Sequence, residues 1–530
     1  MKKNLYSVLS FSILCLSLFG QTSLSNSQPV SARLISSDIT TSVVNCTTFG
    51  FNLNEVSTQK GIQNVLDIPE GIPLYVKGAP DLRRIAAGLI IPDHGSTRAT
   101  VLSANYKDYV NVEIAPSKGV LLISEDARSI PFEYGDAYNK NAFFPENIVE
   151  LREPHIMRNI RGQVADIYPF QYNPVTKVLR VYSDITFQVA TDKSEAGINS
   201  FARAAEHTVP GEFSQMYESL YLNHAAYSAA RGITDPNGRM LIICYDDFAA
   251  AMKPFVDWKT LKGINVELVN KSAVGTTSAA IKTYVDSYYS KFPDFTYLLI
   301  VGDHPQVPST MVSNNSSEQK YSQISGTDAY PEIIYGRISA ESVADVNIQV
   351  KKFLTYEKYP SKMATNRFNY GSVSSLYLGP DNSTKVYLDM RAAKTTLMSA
   401  NGGFAGVKEL YENNVGDALP SATSISASIN EGVSYVSWIS HGSPSQLISF
   451  NFTTTHIKAL TNTTMWPMIW NCSCQTGNFA TGSTPCFSEV WMRASKNGEP
   501  IGAIGTAMSS HDMPMGPSEK LGVNAAKYLT

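Results

Sequence analysis

The hydrophobic period of the chain changes once, near Arg239, and that change calls for two kinds of fold in one polypeptide. From about Gln28 to Asn223, apolar and polar residues alternate in short runs, as in 110–114, 177–182 and 184–189, with turn residues between them. Period-two alternation predicts half-buried antiparallel strands, and hence an all-β domain. After Arg239 the apolar runs at 240–244, 297–301, 374–378, 433–439 and 466–470 are continuous, and 248–262, 277–291, 342–357 and 388–401 between them carry helical spacing. Strands buried on both faces and alternating with helices predict an α/β, doubly wound, mostly parallel sheet.

With 530 residues the chain exceeds one core several-fold. Met1-Lys2-Lys3, the apolar run 5–19 and the polar stretch 21–28 read as a signal peptide over 1–24, so export is expected. Cys15 lies in that run, but Leu14 precedes it where a lipoprotein signal has a small residue. No later stretch reaches the roughly 20 apolar residues of a membrane-spanning helix. Ala, Ser, Gly, Pro and Asn cluster at 224–239 around Arg231-Gly232, which reads as an exposed, cleavable linker. The expected parts are a β-rich domain over 25–231 and two α/β subdomains over 232–368 and 369–530. A net charge of −3 gives no basic field for nucleic acid or an anionic membrane. Without Cys15, five cysteines remain, so at least one thiol of an exported chain is unpaired.

In doubly wound sheets functional groups follow the carboxyl ends of strands. The run 433–439 is followed by Ser440-His441-Gly442-Ser443, and the run 466–470 by Asn471-Cys472-Ser473-Cys474-Gln475-Thr476-Gly477. If those strands are neighbours, an imidazole and a thiol emerge side by side, and the imidazole favours the attacking thiolate. The N–H groups of Gly442 and Cys474 are then candidate donors to an oxyanion. Other readings stay open: His441 as a polar strand cap, and Cys472 and Cys474 as core residues, a disulfide, or zinc ligands with Cys486 and His441. Zinc usually wants two or more residues between paired cysteines. His-Glu-x-x-His, Gly-x-Ser-x-Gly and Gly-x-x-x-x-Gly-Lys patterns are absent from the sequence, which counts against metalloprotease, α/β-hydrolase and NTPase readings.

Ser440 to Ser443, Cys474-Gln475-Thr476-Gly477-Asn478-Phe479 and Pro485-Cys486-Phe487-Ser488-Glu489-Val490 resemble the gingipain family of cysteine peptidases. Asn237-Gly238-Arg239-Met240, Val301-Gly302-Asp303-His304 and Tyr335-Gly336-Arg337-Ile338-Ser339 are similar to it too, so the likeness runs from about Gly232 to the end. The resemblance implies a caspase-like catalytic part, a cysteine endopeptidase activity and an inhibitory propeptide before Arg231. It makes Cys474 the nucleophile and His441 the general base and acid. Asp381 becomes the acid that orients His441, or else a turn residue in Gly379-Pro380-Asp381-Asn382. Asp389, His511 and Ile439 are the substrate-binding candidates for a basic P1 residue, with Asp389 alternatively a solvated helix-surface residue. His511 stands where relatives carry a Trp over the pocket, which removes an aromatic lid from a cation. Cleavage between Arg231 and Gly232 is the expected activation step, and Arg128 a candidate plug of the pocket. Catalysis by this chemistry needs no cofactor, and structural calcium is implied by resemblance alone. Expected partners are protein or peptide substrates and the chain's own propeptide, at the surface of, or outside, a Gram-negative-type bacterium. The chain ends where the resemblance places the last part of the catalytic domain, so C-terminal truncation is expected. The alternative is an inactive caspase-like secreted binding protein.

Overall fold

The structure, a computed structural model, describes residues 30–38, 40–68, 71–125, 127, 129–201, 208–228, 237–363, 370–375, 386–411, 420–480 and 484–527. The described residues between 30 and 201 fold mainly as antiparallel sheets. Strand Val178–Asp192 pairs with Ser96–Tyr109, Thr41–Thr47 and Phe170–Asn173, and Ser31–Ser37 extends the sheet beyond Thr41–Thr47. A second sheet is built on Ile160–Ile167 and Arg83–Ile90. Val44, Leu66, Ile167, Phe170 and Phe187 fill the space between them and are wholly buried. The stretch 110–114, expected as a strand, is not one: Asn111 takes a left-handed φ of 59°, which ends the long strand at Tyr109. The alternating runs 177–182 and 184–189 belong to one strand, with a register shift between Tyr182 and Asp184.

The expected linker begins later than 224. Helices Gly211–Leu220 and His224–Ser228 precede it, and Phe213, Tyr217 and Tyr221 pack on Ile90, Met157 and Ile160. Arg231 and Gly232 lie outside the described residues.

Beyond Arg239 the chain forms two wholly parallel sheets. The first runs in the order Asn265–Asn270, Arg239–Cys244, Phe295–Val301, Ile334–Ile338. Along Arg239–Cys244, Leu241 and Ile243 face helix Ser278–Lys291, while Met240 and Ile242 face helices Ala249–Leu261 and Val343–Lys358. Helices on both faces are why these strands read as continuous apolar runs. The second sheet runs in the order Gly406–Tyr411, Tyr370–Ser375, Tyr435–Ile439, Met468–Asn471, Gly505–Met508. Val436 and Trp438 face a core with Ile425, Phe487 and Trp491, whereas Ile439 faces Met390 on helix Val386–Leu397.

Two buried basic side chains link the elements of the first parallel sheet to those of the second. Lys352 is wholly buried and donates to the carbonyls of Trp491, Met492 and Ala503 at 2.8–3.1 Å. Arg493, closing helix Phe487–Arg493, reaches Asp303, Ser339, Glu341 and Glu489. No helix among the described residues is long and apolar enough to cross a membrane.

Candidate active site

Strand Tyr435–Ile439 pairs in parallel with Met468–Asn471, with Trp438 opposite Asn471. Both chains therefore leave the sheet at one edge, one into His441 and the other into Cys474. The Cys472 N–H bonds the Trp438 carbonyl at 2.8 Å, which carries the pairing past the strand ends. Gly442 lies against the cysteine loop: a Cβ there would stand 2.7 Å from the Cys474 carbonyl oxygen and 2.8 Å from the Ser473 Cβ. Any side chain at 442 would push the two loops apart.

Hydroxyls lock the loops from beneath. Ser440 Oγ and Ser473 Oγ are 3.1 Å apart, Ser473 Oγ donates to Asn471 Oδ1 at 2.6 Å, and Asn471 Nδ2 donates to Thr476 Oγ1 at 3.0 Å. All four residues are buried. Sequence reading missed Ser440, Asn471, Ser473 and Thr476 as a group, because the bridge joins positions 33 apart. Their only local signal was polar residues at the ends of apolar runs.

The β-rich domain reaches into this site. Leu121, Ile123 and Ala127 pack in one apolar cluster with Ile439, Met390, Cys472, Cys474 and Met515. The Ile123 N–H bonds the Met513 carbonyl at 2.9 Å, the Met515 N–H bonds the Leu121 carbonyl at 2.8 Å, and Leu122 bridges antiparallel to Pro514. The segment is held along 513–515 by these backbone bonds, and Cys474 is only 3% exposed. Arg128 lies outside the described residues.

Burial raises the Cys474 thiol above its ordinary value, against the stabilising N–H of Met513, which donates to Sγ at 3.3 Å, while Asp512 raises it further. Burial lowers the half-buried His441 imidazole. Each shift favours the neutral form, so the covered site holds thiol and imidazole, not thiolate and imidazolium.

Ile439 is buried in the cluster that holds Cys474. His511 shares the loop of Met513. Its Nε2 lies 3.1 Å from the Val312 carbonyl, its Nδ1 lies 3.0 Å from Ser510 Oγ, and its own carbonyl accepts from the Gln475 N–H. Asp389 lies on helix Val386–Leu397, one residue before Met390. Asp381 lies outside the described residues; strand Tyr370–Ser375, which precedes it, ends with Ser375 opposite Ile439. Cys46, Cys244, Cys472, Cys474 and Cys486 are all free, which removes the disulfide alternative for Cys472 and Cys474. Cys486 caps helix Phe487–Arg493, its N–H bonded to Glu489 Oε2 at 2.7 Å. Among the described residues no three His, Cys, Asp or Glu side chains are grouped to hold a metal ion.

The sequence matches peptidase family C25 over residues 233–528 and the C25 propeptide over 21–220. Gingipain R2 of Porphyromonas gingivalis is 33% identical over 522 residues, covering 96% of this chain and 69% of the relative. Gingipain R1 of Porphyromonas gingivalis is 34% identical over 464 residues, 86% of this chain and 45% of the relative. Lys-gingipain HG66 of the same organism is 26% identical over 490 residues, 87% of this chain and 27% of the relative. Among solved structures, the Arg-specific cysteine proteinase gingipain R is 30% identical, covering 53% of this chain and 65% of that one with a TM-score of 0.49.

Proposed function

The chain belongs to peptidase family C25 and is a cysteine-type endopeptidase carrying its propeptide, and on that premise we propose that Cys474 is its nucleophile and His441 its general base and acid. The carrying observation is the parallel pairing of Tyr435–Ile439 with Met468–Asn471, which delivers both groups to one edge and brings Gly442 against Cys474. In the open site the thiolate attacks the scissile carbonyl carbon, and the oxyanion is held by the N–H groups of Gly442 and Cys474. His441 passes the thiol proton to the leaving amine, then draws a proton from water as the thioester is hydrolysed. Asp381, emerging beyond a strand that ends beside Ile439, orients the imidazole.

P1 is Arg or Lys, a reading supported by the similarity to gingipain R2 and to Lys-gingipain. Asp389 supplies the counter-charge, and Ile439 and His511 line the pocket. In the precursor 121–127 fills the cleft, Arg128 reaches the P1 pocket, and a cut between Arg231 and Gly232 starts activation. Export follows the segment 1–24, and calcium, if bound, is structural.

The test is covalent labelling by acyloxymethyl-ketone peptides with Arg, Lys or an apolar P1 residue. Labelling of propeptide-free enzyme should map to Cys474, disappear in Cys474→Ala and be fastest with a basic P1. A folded, propeptide-free enzyme that stays unlabelled would overturn the assignment.

A further inference from the structure

Arg158 belongs to the β-rich domain, yet its side chain ends inside the catalytic part. It sits at the apex of the turn between His155–Met157 and Ile160–Ile167, in a left-handed φ of 54°. The residue is 0% exposed. Its Nη1 donates to the carbonyls of Phe295 at 2.7 Å and Glu332 at 3.0 Å, and its Nη2 to the Pro293 carbonyl at 3.3 Å and Thr296 Oγ1 at 3.5 Å. Nε donates to the Thr208 carbonyl at 2.8 Å, and the Phe213 ring lies 5.2 Å from the guanidinium carbon.

Among the described residues no carboxylate is hydrogen-bonded to this cation. Glu332 contributes its backbone carbonyl, while burial lifts its carboxyl to about 8 and holds it neutral. The recess therefore recognises a planar fork of donors by placed dipoles, a match an ammonium cannot make. Around it the two domains meet closely. The Ile156 N–H bonds Asp328 Oδ2 at 2.8 Å, and His155 stacks on Tyr330 with ring centroids 3.7 Å apart. A desolvated Arg inside a ring of water-excluding contacts is the usual form of an interface hot spot.

The recess lies where the chain enters Phe295–Val301 and Ile334–Ile338, at the amino ends of strands of the first sheet. The segment 121–127 covers residues that follow the carboxyl ends of strands in the second. We propose that the acceptors of Pro293, Phe295, Thr296 and Glu332 form a guanidinium-binding site, separate from the substrate cleft, that holds the propeptide on the enzyme through Arg158 after the linker is cut. Thr208 and Phe213 precede the linker and leave with the propeptide, so those four acceptors are the catalytic part's share of the site.

This rests on the precursor reading above, and the experiment separates the two. Full-length precursor is cut within 229–236, and the nicked complex is diluted into an active-site probe that labels Cys474 only once the cleft opens. Labelling after dilution should be at least tenfold faster in Arg158→Met than in the parent, and Arg158→Lys should behave like Arg158→Met. Equal rates in parent and Arg158→Met, or full retention by Arg158→Lys, would overturn the site. Uncut parent that labels as fast as propeptide-free enzyme would instead overturn the precursor reading. If the variants do not fold, hydrogen exchange on the nicked parent decides: 293–297 and 332–335 should stay protected while the propeptide is bound, and loss of that protection refutes the proposal.

Discussion

Cys474 and His441 are shifted in opposite senses by burial, and at Cys474 the segment 121–127 supplies part of the cover. A raised thiol forms thiolate only at higher pH, and a lowered imidazole forms imidazolium only at lower pH, so the covered pair is neutral across the range between. Opening the cleft removes the part of the Cys474 burial that 121–127 supplies. The pH midpoint for iodoacetamide alkylation of Cys474 is therefore expected to fall when the propeptide is released; an unchanged midpoint would mean that the covering segment does not set the charge state. Gly442 makes a second prediction at this scale. Gly442→Ala puts a methyl 2.7 Å from the Cys474 carbonyl, so kcat/KM of the mature enzyme should fall at least about tenfold, roughly 1.4 kcal/mol of barrier, while the protein stays folded. Activity kept within twofold would show that the loops part without consequence.

At the scale of elements, the seam between the sheets depends on helix Val343–Lys358 delivering Lys352 to three carbonyls. Burial pushes its pKa well below the ordinary value, and among the described residues its Nζ bonds three carbonyl dipoles and no carboxylate. Lys352→Met keeps the stem but strands three acceptors, with an expected loss of about 2–4 kcal/mol in urea unfolding of the catalytic part. A neutral result would mean that the carbonyls find other donors. How much of this was readable depended on where an element sits. The central strands Arg239–Cys244, Phe295–Val301 and Tyr435–Ile439 were legible because both faces are apolar, and with them the two loops bearing His441 and Cys474. The edge strands Asn265–Asn270 and Gly505–Met508 were not, since half-buried residues such as Glu267 and Thr506 break the apolar run. Ile334–Ile338 was hidden by Gly336 and Arg337. The Ser440–Ser473 bridge and the insertion of Arg158 between domains were illegible for another reason: each is a long-range pairing that no window of sequence contains.

Across the whole molecule, acidity should tell on the junction of the two domains. His155, between Tyr221 and Tyr330, is pushed down to about 4 by burial. Its folded pKa lies below the unfolded one, so between about 6.5 and 4 the unfolded chain takes up a proton that the folded chain refuses. Its contribution is complete above that window and is lost as pH falls through it, up to about 3 kcal/mol. His155→Phe keeps a ring against Tyr330 and cannot protonate, so its denaturation midpoint should depend less on pH between 6.5 and 4.5 than the parent's; identical slopes would place the sensitivity elsewhere. The twofold grip of the β-rich domain, by 121–127 at Cys474 and by Arg158 at the far edge of the other sheet, bears on timing. If the proposed anchor at Arg158 holds after the linker is cut, severing the chain and baring the thiol become separate events. Inhibitor and enzyme are born in equal numbers, so how many molecules work at a given moment depends on how crowded they are: a dense solution stays quiet, and the same molecules awaken as they spread.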